Sequence, residues 1–296
     1  MDQEKRRLRD EQREYWNGQG GQCWAESEEM TERVMAPVAE AALQAAAVRP
    51  GEHVVDVGCG CGATTLRLAV GVDKGVSGKA GTAIPQVLGL DISAPMLARA
   101  EARLKRQEGR PSIHFVQGDA AQYGFDGEAD LVFSCLGVMF FADPLSAFTN
   151  LRQALKPGGR LVFACWRAPS ENPWMMEPFN AACRHVPRPP RPNPEEPGPF
   201  SFSSAERVES LLRSAGFVGV ELTPVDIVMD LGGGRGLSAA VDYVKSIGAT
   251  SRALNNAPPA ARAAAIDAVE DLLRARERDG RIDYAGALWI VTARKP

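Results

Sequence analysis

Val54-Val55-Asp56-Val57-Gly58-Cys59-Gly60-Cys61-Gly62 decides the fold. With His53 before it, the opening run is short, apolar and rich in valine, which marks a buried strand. A glycine turn follows, and then an amphipathic stretch from residue 63 to about 70. Glycine at these positions lets a ligand approach the backbone and admits dihedrals closed to other residues. A helix starting just beyond offers free N–H groups. The loop also satisfies Gly58-x-Gly60-x-x-Ala63, a dinucleotide fingerprint. By itself it therefore does not separate NAD from other adenosine cofactors.

The same rhythm continues downstream. Val87-Leu88-Gly89-Leu90-Asp91 is a second strand, and Ser93 caps a helix whose Met96, Leu97, Ala100 and Leu104 share one face. Residues 113–117 make a third strand and 130–134 a fourth. Leu145, Phe148 and Leu151, spaced by three, mark a helix over 144–154 that Lys156-Pro157-Gly158-Gly159 ends. Residues 160–166 are a fifth strand. Alternating helices and near-continuous apolar strands predict a parallel sheet covered on both faces. Right-handed crossovers make such a sheet doubly wound, with its ligand at the carboxyl ends of the strands. Further on, Ser203-Ser204-Ala205-Glu206 resembles a capping box opening a helix to Ala215. A strand over 218–225, helical stretches over 237–247 and 259–278, and a strand over 285–293 complete the chain.

Two segments break the rhythm. Residues 71–86 are glycine-rich and read as an exposed insertion. Residues 169–199 hold ten of the 21 prolines, so they are expected to be neither helix nor central strand. They fall in a segment, 167–202, that is either a stiff lid or a surface loop. Residues 1–48 read as an N-terminal helical cap before a main domain over 49–296. Within the cap, residues 1–14 mix charges like a solvated helix, residues 36–48 form an alanine-rich helix, and Tyr15, Trp16 and Trp24 need something to cover them.

Composition narrows the function. The 296 residues allow about two domains, or one with insertions. With 34 Lys and Arg against 37 Asp and Glu, the net charge of −3 provides no global field for a nucleic acid or an anionic membrane. No apolar run is long enough to span a bilayer. The first residues are charged with no apolar segment behind them, and six cysteines then predict reduced thiols in a cytoplasmic protein. Cys59 and Cys61 have no second pair to complete a zinc site, so no metal is expected. Oligomeric state has no signature.

Four motifs stand in order: Asp56-x-Gly58-x-Gly60-x-Gly62, the strand-ending Asp91, Gly118-Asp119-Ala120, and Leu155-Lys156-Pro157-Gly158-Gly159-Arg160-Leu161. A carboxylate at Asp91 can accept from both hydroxyls of a ribose. Together the motifs resemble the class I S-adenosylmethionine-dependent methyltransferases, and within them the bacterial small-molecule enzymes related to the ubiquinone and menaquinone methyltransferases. The match is strong over about 50–166 and weaker over 203–223 and 284–293. It implies a Rossmann-like, mostly parallel seven-stranded sheet with an antiparallel last strand. It implies S-adenosyl-L-methionine as cofactor, S-adenosyl-L-homocysteine as product, and a small-molecule acceptor. By the same resemblance Asp56, Gly58 and Gly60 shape the methionine end, and Asp91 holds the ribose beside Ile92 and Met96. Asp119 and Ala120 frame the adenine, Ser134 and Leu136 line the cofactor, and Trp16 and Asn17 belong to a segment that closes over it. Tyr15, Met139, Phe140 and Trp166 are candidates for the acceptor side. The 71–86 insertion departs from the family's spacing, whereas Leu88-Gly89-Leu90-Asp91-Ile92-Ser93 keeps to its pattern.

Each of these residues also has a plainer reading. Asp56 and Asp119 can cap turns, Asp91 can cap its helix, and Met139 and Phe140 can be core. His185, in the lid, is the one histidine placed to be a base. An NAD(P)-dependent oxidoreductase is the rival enzyme class, though no Tyr-x-x-x-Lys pair exists. A thiol-assisted enzyme of the arsenite type would need Cys23, Cys135 and Cys183 to converge. A non-catalytic cofactor-binding protein is the third alternative.

Overall fold

The computed structural model describes residues 3–73, 86–107, 112–190, 193–255 and 257–296. Three helices open the chain: α1 (Gln3–Asn17), α2 (Gln19–Glu26) and α3 (Glu28–Ala46). Then come β1 (Val54–Val57), α4 (Ala63–Asp73), β2 (Val87–Asp91), α5 (Ala94–Lys105), β3 (Ile113–Gln117) and β4 (Ala129–Cys135). They are followed by α6 (Pro144–Ala154), β5 (Leu155–Trp166), α7 (Pro173–Ala182), α8 (Ala205–Ser214) and β6 (Val218–Asp230). The last elements are α9 (Gly236–Ser246), α10 (Gly248–Asn255), α11 (Pro259–Arg276) and β7 (Asp283–Arg294).

The seven strands form one sheet in the order β3-β2-β1-β4-β5-β7-β6. The pairs among β1 to β5 are parallel, and β7 runs antiparallel between β5 and β6. This is the doubly wound, mostly parallel sheet with an antiparallel last strand. Its order reverses at β1, with β2 on one side and β4 on the other, so the crevice lies above the ends of β1 and β4. Leu131, Phe133, Leu161 and Phe163 are wholly buried at the centre. Phe148 stacks on Phe163 at 5.6 Å and extends the core into α6.

Caps follow the sequence. Ser93 Oγ accepts from the Met96 N–H and Ser204 Oγ accepts from the Arg207 N–H, opening α5 and α8. Elsewhere the structure departs from expectation. The proline-rich stretch holds a helix after all: in α7, Pro173 takes the first turn, where its missing N–H costs nothing. Pro178 lies inside, and tertiary packing outweighs its cost. Trp174, Phe179, Ala181 and Ala182 are buried, and Asn172 bridges to β7 by accepting from Ala287 N–H and donating to Ala287 C=O, both at 3.0 Å. Residues 191 and 192 of that stretch lie outside the described residues, as do 74–85 of the expected insertion; 71–73 complete α4. β6 runs on to Asp230, and tolerates Pro224 because it is an edge strand. α10 was not anticipated. The helix expected over 36–48 begins earlier, at Glu28, and continues through Pro37. Its buried stripe of Val34, Val38, Ala42 and Ala46 joins the main core, while α1 and α2 form the outer cap.

Candidate active site

The floor of the crevice is backbone. Gly58, Gly60 and Gly62 all hold positive φ, at +68°, +54° and +80°. A Cβ on Gly58 would stand 2.8 Å from Gly137 Cα, so the turns after β1 and β4 touch backbone to backbone. Leu136, a non-glycine residue after β4, is held at φ +67°.

Asp91 ends β2 at the edge of this floor. Its Oδ2 accepts from the Gly60 N–H at 2.7 Å, and its Oδ1 accepts from the Ser93 N–H at 2.8 Å. Burial pushes its carboxyl upward, and these backbone donors oppose the shift. Asp56 lies beneath the loop, accepting from the Thr65 hydroxyl at 2.7 Å and the Thr64 hydroxyl at 2.9 Å. Burial pushes Asp56 up to about 6 despite those hydroxyls. Its Oδ1 is buried without a hydrogen-bond partner.

Above the floor lies a cavity of about 600 Å³. Gly58, Gly60, Asp91, Ile92, Met96, Asp119, Ala120 and Leu136 line it, as do Tyr15, Trp16, Met139, Phe140 and Trp166. Three residues expected at the cofactor stand behind this wall. Asp56 and Ser134 are fully buried under it. Asn17 is a latch: its Nδ2 donates to Ile92 C=O at 3.0 Å, and its Oδ1 accepts from the Ala94 N–H and the Gln117 amide, both at 3.1 Å. The adjacent Ser93 hydroxyl donates to Trp16 C=O at 2.7 Å. These bonds fix α1 and α2 to the start of α5. Trp16 then meets Phe140 edge to face at 5.2 Å. Asp119 also turns its side chain to its own loop, accepting from the Ala121 N–H at 2.9 Å.

His185 is exposed on the turn after α7 and does not line the cavity. The three cysteines of the thiol alternative do not converge. Cys135 lines the cavity, Cys23 lines a separate cleft, and Cys183 lines neither. Burial pushes the Cys135 thiol up to about 12, away from the reactive thiolate. Among the described residues no His, Cys, Asp and Glu group is arranged to hold a metal ion, and no helix is long and apolar enough to cross a membrane.

Sequence reading missed a second wall. Trp24, Glu28, Thr31, Met35 and Ala39 line the cavity at helical spacing along α2 and α3, opposite Tyr243, Val244 and Ile247 of α9 and the segment after it. The spacing itself is visible in the sequence. Its mixture of acid, hydroxyl, thioether and indole hides it as a functional face.

The glycine floor, the buried acid ending β2 and the switch-point crevice are features of a doubly wound, cofactor-binding fold. Comparisons with known proteins narrow it. The methyltransferase-domain family matches residues 55–163. The demethylmenaquinone methyltransferase of Lactococcus lactis subsp. lactis (strain IL1403) is 33% identical, over 58% of this chain and 68% of that protein. O-methyltransferase cnsE of Penicillium expansum is 30% identical, over 59% of this chain and 55% of that one. The chain spans about half the length of the first curated relatives it matches. The crystal structure of the YcgJ protein from Bacillus subtilis shares the fold, with a TM-score of 0.55 at 17% identity over 88% of this chain and 98% of that one. The chain belongs to the class I S-adenosylmethionine-dependent methyltransferases, related to the quinone methyltransferases. S-adenosyl-L-methionine is that family's cofactor, and the dinucleotide reading of the glycine loop is set aside.

Proposed function

We propose that the protein transfers a methyl group from S-adenosyl-L-methionine to a small-molecule acceptor by in-line displacement. One observation carries this reading: a single cavity runs from the Gly58–Gly60 floor and Asp91 to a chamber walled by Trp16, Phe140, Trp166 and Trp174. Two reactants then share one enclosure, which supplies proximity and orientation.

The residues present fit the cofactor. Backbone N–H groups of Gly60, Ser93 and Ile92 act on Asp91, and a carboxylate has about four acceptor sites, so capacity remains for a ribose hydroxyl. Gly58 and Gly60 leave the loop bare for the methionine end. Ile92 and Met96 would stand beside the ribose, Asp119 and Ala120 would frame the adenine, and Leu136 would line the cofactor. Asn17 and Asp56 act from behind, the first by holding Trp16 over the cavity and the second by bracing the loop. When bound, the cofactor supplies a methyl group activated on a sulfonium. The chain's own task is to align the acceptor and exclude water. No histidine lines the cavity among the described residues, which favours an acceptor that is already nucleophilic.

Calorimetric titration with S-adenosyl-L-homocysteine, with NAD in parallel, tests the reading. Micromolar binding of the first alone is expected. Binding of NAD alone overturns it.

A further inference from the structure

Helix α10 starts where α9 ends, and its first turn opens on the cavity. Gly248, Ala249 and Thr250 line the chamber, as does Arg252 one turn further on. The first N–H groups of a helix have no acceptor inside it, and they form the positive end of its dipole. A side-chain oxygen just before the helix commonly satisfies one of them, as Ser93 does for α5 and Ser204 for α8. In α10 that place falls to Ile247 and Gly248, and neither has such an oxygen. Gly248 stands at φ +75°, and among the described residues a Cβ on it would meet nothing within 4 Å. A ligand can therefore approach the bare turn.

Two side chains flank that turn. Thr250 is 4% exposed and lines the cavity, yet among the described residues its hydroxyl makes no hydrogen bond. Native proteins rarely leave such a group without a partner, and the cavity is where one can come from. Arg252 is exposed at the rim. Of the other cations that line the cavity, Lys5, Arg9 and Arg103 pair with Asp143, Asp10 and Glu32. Among the described residues Arg252 makes no ion pair and no side-chain hydrogen bond. Glu14 of α1 lines a second cleft with Arg252 but makes no ion pair with it. Long side chains on a helix lean toward its N-terminus, which carries the guanidinium back over the first turn. Positions 250 and 252 are about 200° apart around a helix, so hydroxyl and guanidinium bracket its end.

Free N–H groups, a helix dipole, a hydroxyl and a guanidinium all favour one kind of ligand group, an oxyanion. α10 packs on α7, whose Trp174, Met175 and Pro178 line the same chamber. That wall suits an apolar body.

We propose that the first turn of α10, with Thr250 and Arg252, is a carboxylate-binding subsite, and that it holds the acidic group of an acceptor whose apolar body lies against α7. The word acceptor rests on the methyltransferase reading, while the subsite itself does not.

The test is calorimetry on the full chain saturated with S-adenosyl-L-homocysteine, titrated with 1-naphthaleneacetate and with its neutral amide. The carboxylate is expected to bind at least about tenfold more tightly, the range of a hydrogen bond to a charged group. Arg252→Gln, at an exposed position, is expected to remove most of that preference, and Arg252→Lys to keep part of it. Thr250→Val keeps the shape and should shrink the preference by about three- to tenfold, the range of one neutral hydrogen bond. Affinity for S-adenosyl-L-homocysteine is expected to stay unchanged in all three. Equal binding of acid and amide overturns the proposal, as does a preference that survives when Arg252→Gln and Thr250→Val are combined. A loss of S-adenosyl-L-homocysteine affinity in Arg252→Gln, with 5′-methylthioadenosine still bound normally, also overturns it, because the carboxylate held would then be the cofactor's own. If the wild-type chain prefers the acid but binds no S-adenosyl-L-homocysteine, the cofactor reading fails and the subsite stands.

Discussion

Gly58 and Gly60 meet the cavity as backbone, from left-handed conformations that Gly62 shares two residues further on. Trp16, Phe140 and Trp174 meet it as side chains, from the first helix, the turn after β4 and the seventh helix. The floor has one arrangement because its atoms are covalently close and the parallel strands beneath it are buried on both faces. The roof has its arrangement only while α1 and α2 stay latched to α5. A backbone floor is broken by adding atoms. A side-chain roof is broken by letting go of it.

The sharpest break in the floor is Gly58→Val. The new side chain needs the left-handed region, which costs about 1–2 kcal/mol for an L-residue. It would also press its Cβ to 2.8 Å from the Gly137 backbone, which cannot swing aside. S-adenosyl-L-homocysteine affinity is expected to fall by more than about a hundredfold, equivalent to roughly 2.7 kcal/mol. Near-normal affinity by calorimetry would mean that the floor is softer than its glycines indicate.

The matching break in the roof is Gly21→Ala. In an ordinary helix this change stabilises by about 1 kcal/mol. Here the Cβ would lie 1.9 Å from Trp16 C=O, the oxygen that accepts from Ser93. The sign therefore reverses, and a loss of about 2 kcal/mol in stability is expected, the scale of overpacking in a tight interface. Urea unfolding checks it. Cofactor affinity should suffer less than in Gly58→Val, since the floor is untouched.

The two regions also differ in what the sequence reveals. Glycine spacing records backbone geometry directly, so Gly58, Gly60 and the strand-ending Asp91 could be read residue by residue. Strand alternation gave the sheet for the same reason: each period is local. Glu28, Thr31 and Tyr243 carry no such record. Each is one polar residue on an amphipathic helix, and only the packing of α3 against α9 makes them neighbours. α7 was hidden differently. Its prolines argue locally against a helix, while Asn172 and the buried face of Trp174 and Phe179 decide in favour of one through tertiary contact. Asp56 combines both cases: its place in the motif is plain, yet its position beneath the wall follows from Thr64 and Thr65 reaching back to it.

That position gives Asp56 a pH signature opposite in sign to that of Asp143 in the roof, whose carboxyl is lowered. Its folded value of about 6 lies above the ordinary 3.8, so between the two the native state holds more protons than the unfolded chain. Its contribution to stability is then fully present below about pH 4 and is lost as pH rises through about 6. Asp56→Asn cannot ionise, and its amide oxygen can still accept from a threonine. Its stability relative to wild type should improve from pH 4.5 to pH 7.5 by on the order of 1–3 kcal/mol. A difference that is flat across this range would show that the carboxyl titrates at its ordinary value.

The smallest effect belongs to the outer edge of the roof. Lys5 Nζ and Asp143 Oδ2, both on residues that line the cavity, pair at 2.9 Å and join α1 to the start of α6. The pair is partly solvated, with Lys5 43% and Asp143 15% exposed, so its worth is about 1 kcal/mol or less. Lys5→Ala also leaves Asp143 accepting from the Ser146 hydroxyl at 2.9 Å, so no buried charge is stranded. Stability should barely move. What should change is how readily the cap opens: dissociation of S-adenosyl-L-homocysteine is expected to quicken by about two- to threefold at low salt. At 1 M salt, where the screening length falls to about 3 Å, variant and wild type should converge. If the rates stay apart at high salt, the lysine holds the cap by packing its stem, and charge has no part in the latch. If they never differ, the cap is held by Asn17 and Ser93 alone, and the roof has one hinge-side attachment where the ion pair now suggests two.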